Sequence, residues 1–96
     1  MKKKAVLCLK TAIVNDLGMH ARPAAKIAEM AMEAKGEVWF AKGSVQADAS
    51  SIIDILTLNA VKGTCLEIQA ENPDDEQILK KIQTFFEQGF GELRHE

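Results

Sequence analysis

In 96 residues the chain has only two cysteines, two prolines, a net charge of −2 and no long apolar run. Each shortage removes a class of protein. Cys8 and Cys65 are too few for a disulfide-built secreted scaffold and do not have metal-ligand spacing. They read as small side chains packed in strands, able to pair only if those strands are neighbours in register. A charge this close to neutral provides no basic face for nucleic acid or acidic lipid. The opening MKKKAVLCLK has three lysines before an apolar run, but that run ends at Lys10. A secretory leader needs roughly 7–15 apolar residues and a small-residue cleavage site, and a membrane span needs about 20. Repeats, low-complexity tracts and Pro/Ser-rich linkers are also missing. The expectation is one cytoplasmic domain over residues 1–96, monomeric, without membrane insertion, nucleic-acid partner, metal or other cofactor. Residues 1–6 read as a basic extension and residues 93–96 as a polar tail.

What is present is ordinary globular material, 47% apolar and 27% charged, enough for one core. From Leu7 to Val14 the chain alternates, with Leu7, Leu9, Thr11 and Ile13 on one side, the pattern of a half-buried strand. Ala24, Ile27, Ala28 and Ala31 then recur at helical spacing, with Gly36 as the expected stop. EVWFAKGSVQAD reads as a hairpin turning near Lys42 and Gly43. SSIIDILTLNAVKG reads as a short helix opened by serine and closed near Gly63, and TCLEIQA as a further strand. Asn72-Pro73 opens the last helix, where Asp74, Asp75 and Glu76 place negative charge at the favourable end of the dipole. Ile78, Leu79, Ile82, Phe85 and Phe86 form its apolar stripe and Gly89 ends it. The order β-α-β-β-α-β-α points to an α+β open-faced sandwich, a four-stranded antiparallel sheet covered on one side by three helices.

Chemistry concentrates in DLGMHARPAAK, residues 16–26. If His20 caps the first helix, Ala21, Arg22 and Pro23 are its first residues. Their end of the helix carries unpaired N–H donors and the positive end of the dipole. Proline costs little there, since its missing N–H would have been unpaired anyway. Ala21 and Arg22 keep theirs, and the arginine fork suits phosphate oxygens. Gly18 lets the preceding loop come close without a side chain in the way. A neutral imidazole adds a nucleophilic lone pair, and histidines titrate at roughly pH 6.5. Such a ring can attack phosphorus to form a labile phosphoramidate. Taken on local physics alone, the same residues also fit a solvated histidine beside an ordinary surface arginine. His95 lies in the polar tail with no placed partner.

GMHARPAA resembles the active-site motif of HPr, the histidine-containing phosphocarrier of the bacterial sugar phosphotransferase system, usually written G-[LIM]-H-A-R-P-A. Gly18, His20, Ala21, Arg22, Pro23 and Ala24 all match. SSIIDILTLNAVKG resembles the second motif, its serine falling on Ser51, and the likeness runs from about Leu7 to Glu92. The resemblance implies a carrier without independent turnover. Enzyme I would phosphorylate His20 on Nδ1 and a IIA domain would receive the group. Arg22 would hold the phosphoryl group, with the Ala21 N–H assisting and Pro23 fixing the helix start. Independently, Ile52, Ile53, Ile55, Leu56 and Leu58 surround a helix of about two turns, so some must stay exposed. Met19, Ile52, Ile53 and Leu56 are the expected partner surface around His20.

Ser51 and Asp54 have nearly the spacing of a capping box. In the family, many members carry a regulatory phosphoserine at this position, made by HPr kinase/phosphorylase. Ser50 stands where regulated members often have lysine, and Asp54 and Asn59 replace common glycines, so Ser51 and Ser50 both remain candidates. Two alternatives stay open: a regulatory paralogue controlling a transcription factor or metabolic enzyme, and a small-molecule-binding domain of similar architecture.

Overall fold

Alternating apolar side chains build one antiparallel sheet from β1 (Leu7–Ala12), β2 (Val38–Lys42), β3 (Val45–Asp48) and β4 (Cys65–Ala70). The computed structural model describes residues 4–92. The strand order is β1-β4-β2-β3. Because β4 runs antiparallel to both neighbours, β1 and β2 point the same way, and the helix between them crosses over the place that β4 later fills. Leu9 faces Ile68, Ile68 faces Phe40, and Phe40 faces Ala47. One register row therefore carries apolar side chains across all four strands. Lys10, Glu67 and Ala41 form the next row, whose side chains project from the other face.

Three helices cover the apolar face. α1 (Ala21–Ala31) buries Pro23, Ala24, Ile27, Ala28, Met30 and Ala31; α3 (Glu76–Glu87) buries Leu79, Ile82 and Phe86; and α2 (Ile52–Thr57) buries Ile55. All of these but Pro23 and Ala28 join Phe40, Leu66, Ile68 and Phe90 in a single core. The architecture is the open-faced sandwich expected from the element order.

Several boundaries differ from the expectation. β1 stops at Ala12, although the Ile13 N–H still reaches the Thr64 carbonyl opposite it at 2.9 Å and Ile13 remains buried. α1 ends at Ala31, not Gly36. Glu33 and Ala34 already bond back to Met30 and Ala31 in a tighter turn, and beyond it the Asp75 carboxylate takes the Lys35 and Gly36 N–H groups at 2.8 and 2.9 Å. Gly36 serves a close approach instead: a Cβ there would lie 2.9 Å from both the Asn72 Cβ and the Glu71 Cγ. Asp75 is thus a buried structural acceptor, not merely a charge in a first turn. A 3-10 turn, Pro73–Asp75, stands between Asn72 and α3.

α2 stops at Thr57, well before Gly63. Asn59 adopts φ 51°, a left-handed conformation that asparagine tolerates better than most residues. The cysteines are exposed on the outer face, so they do not fill the core. Cys8 faces Gln69 and Cys65 faces Ala12. That is four register positions apart, roughly 13 Å at strand rise and beyond disulfide reach. His95, the tail at 93–96 and the first part of the basic extension lie outside the described residues.

Candidate functional site

The segment leading to His20 is held by three contacts. The buried Asn15 donates from Nδ2 to the Gly18 carbonyl at 2.9 Å. Met19 N–H reaches the Ala60 carbonyl at 2.9 Å. Lys62 Nζ lies 2.7 Å from Asp16 Oδ1, and this hydrogen bond and charge hold the Asp16 carboxyl below its usual range. Gly18 sits at φ +69°, where an added Cβ would lie 2.7 Å from the Ala60 oxygen. Glycine is therefore required both for the dihedral and for the approach of the two loops.

His20 is the N-cap of α1, with extended dihedrals of −135° and −175° and no side-chain capping bond. Its carbonyl receives the Ala24 N–H at 3.0 Å, so the N–H groups of Ala21 and Arg22 precede the first helical hydrogen bond. Pro23 is buried just inside the helix start, its fixed φ suited to that position. The ring of His20 is about one third exposed.

Sequence reasoning missed the carboxylate that joins the two cationic groups. Glu92 Oε2 lies 2.7 Å from His20 Nε2 and accepts from Arg22 Nε at 3.1 Å and Nη2 at 2.5 Å. Its Oε1 accepts from Asn15 Nδ2 at 2.8 Å. Arg22 Nη2 also reaches the Phe90 carbonyl at 2.5 Å. Desolvation pushes the Glu92 carboxyl up, but hydrogen bonds from Arg22, His20 and Asn15 outweigh it and hold the group below the usual range. The available signal was Gly89-Phe90-Gly91. Gly89 and Gly91 have positive φ, as does Phe90 at 59°. Phe90 is buried against Phe86, ring centroids 4.9 Å apart, and this anchor turns the chain back to the head of α1.

The expected partner surface divides. Ile53 is 75% exposed, and Ile52 and Leu56 are also exposed, while Ile55 and Leu58 enter the core. Met19 is half-buried and packs against the core. Exposed Leu17 and Val61, not singled out in the sequence, flank the contact between the two loops. Ser51 caps α2 by accepting the Asp54 N–H at 3.2 Å. The reciprocal half of a capping box is missing: Asp54 Oδ2 takes the Asp48 N–H at 3.3 Å. Ser50 gives both its N–H and its hydroxyl to Asp48 Oδ1. Among the described residues, no cluster of three His, Cys, Asp or Glu is placed to hold a metal ion, and no helix is long and apolar enough to cross a membrane.

Known proteins resemble this chain in sequence and in fold. The family model of the PTS HPr component phosphorylation site matches residues 9–88. The phosphocarrier protein NPr of Escherichia coli K12 is 38% identical over 81 residues, covering 83% of this chain and 90% of its own. The phosphocarrier protein HPr of Neisseria meningitidis serogroup B is 32% identical over 80 residues, with the same coverage. Among solved structures, HPr from Thermoanaerobacter tengcongensis superposes with a TM-score of 0.85 at 30% identity, covering 93% of this chain and 100% of its own. The chain belongs to the HPr family of phosphocarriers of the phosphotransferase system.

Proposed function

We propose that His20 accepts a phosphoryl group from phosphorylated enzyme I of a phosphotransferase system and passes it to a IIA domain. The protein works in the cytoplasm as a transfer intermediate with no turnover of its own. The observation that carries this reading is the triad of His20, Arg22 and Glu92: a histidine at a helix head shares one carboxylate oxygen with an arginine. Groups that already hold one oxyanion suit a second. On transfer, Arg22 exchanges the Glu92 carboxylate for phosphoryl oxygens, and the Ala21 and Arg22 N–H groups add the field of the helix end. Met19, Ile52, Ile53 and Leu56 form the docking surface for enzyme I and IIA, with Pro23 and Gly18 holding the loop-to-helix junction in shape.

Ser51 reads best as a helix cap. A phosphoserine made there by an HPr kinase/phosphorylase would add about two negative charges beside Asp48 and Asp54. Ser50 is bound to Asp48 and faces the same repulsion. A hollow lined by Lys10, Ala41, Cys65 and Glu67 includes neither His20 nor Arg22.

A second reading, a regulatory paralogue, would keep the His20 chemistry and differ in its acceptor. The test of the carrier reading is incubation with phosphoenolpyruvate, magnesium and enzyme I from the same organism, followed by intact mass. An acid-labile phosphoryl adduct, lost in His20→Ala, is expected. An unmodified chain beside an active enzyme I would refute it.

A further inference from the structure

We propose that Glu92 selects which nitrogen of His20 reacts, holding the proton on Nε2 so that Nδ1 presents the lone pair. The inference rests on the carrier reading and adds a positioning residue to it. A carboxylate has only acceptor sites, and Glu92 is held in its ionised form by the donors around it. With Oε2 2.7 Å from Nε2, the hydrogen of that contact must sit on the ring. A neutral imidazole has one N–H, so the remaining lone pair is on Nδ1.

The carboxylate is itself fixed. Oε1 is held by Asn15, which is 1% exposed and tied to the Gly18 carbonyl, and Oε2 is held by Arg22. Turning the ring over would break a charge-assisted hydrogen bond, so orientation and tautomer are set together. In the transfer step the Nδ1 lone pair forms the N–P bond. The bond from phosphorus to the donor breaks, and its electron pair leaves with the donor. Nε2 keeps its proton, and the positive charge that spreads over the ring faces the Glu92 carboxylate.

The test uses phosphoramidate, a small donor that needs no docking surface and from which ammonia leaves with the electron pair. The full chain, labelled with 15N, is compared with Glu92→Ala and Glu92→Gln, each checked for folding by circular dichroism. Long-range proton–nitrogen spectra read the tautomer before reaction and the phosphorylated nitrogen afterwards. The native chain is expected to show the Nε2–H form and to be modified on Nδ1 alone. In both variants the phosphoryl group should spread over Nδ1 and Nε2, and the Nδ1 rate should fall roughly tenfold, the worth of one hydrogen bond to a charged group. Folded variants that keep Nδ1 selectivity at the native rate would overturn the assignment. A native chain that forms no phosphohistidine, with free imidazole phosphorylated in parallel, would overturn the carrier reading as well.

Discussion

At the scale of single residues, the site is two short stretches that meet. Residues 18–24 lie next to one another in sequence, so their roles at a helix head could be read from order alone. Glu92 stands 72 residues from His20, and no local period relates them; only the folded turn after α3 brings them together. Gly18 tests the near stretch. Gly18→Ala combines a strained dihedral with a backbone clash of 2.7 Å and should cost about 1–3 kcal/mol, measured by urea unfolding. Glu92 tests the far one. Its folded pKa lies below the unfolded value, so its stabilising effect is present above roughly pH 4.3 and is lost as pH falls through the lowered folded value. The stability gap between the native chain and Glu92→Gln, clear at pH 7 by urea unfolding, should therefore close as pH falls through that lowered folded value.

At the scale of elements, periodicity found every strand and helix but overshot their ends. Apolar spacing says nothing of a carboxylate arriving from elsewhere, and Asp75 holds Lys35 and Gly36 outside α1. Likewise, the break after α2 is made by the left-handed Asn59, four residues before Gly63, the expected end. The turn after α3 does more than end a helix. Phe90 packs on Phe85 and Phe86, with ring centroids 5.1 and 4.9 Å apart, while its carbonyl receives Arg22. Phe90→Ala should destabilise by about 3–5 kcal/mol. At temperatures where the variant is still folded, the Arg22 guanidinium protons should exchange faster with solvent, a change visible by NMR.

At the scale of the whole molecule, the fold gathers the site at the head of α1. The crossover from β1 to β2 carries α1, the approach of residues 15–20 to residues 59–64 fixes His20, and the last turn returns Glu92 to it. The sheet pattern was legible because a register row such as Leu9, Ile68 and Phe40 is apolar on every strand. The strand order was not, since nothing in β4 alone says that it enters between β1 and β2. The exposed side of α2 gives a prediction at this scale. Ile53 is 75% exposed, so Ile53→Glu should change stability by no more than about 0.5 kcal/mol. The same variant should raise the KM of enzyme I for the protein several-fold, because an apolar docking surface gains an unpaired charge.

The most direct measurement of the carrier claim is a chase. The protein is loaded with phosphate by enzyme I, freed from it, and mixed with the IIA domains of the same organism while intact masses are followed. One IIA is expected to gain the phosphoryl group as the chain returns to its unmodified mass, mole for mole. Phosphate that stays on the chain, or appears only as inorganic phosphate, with every IIA competent toward another phosphocarrier, would contradict it.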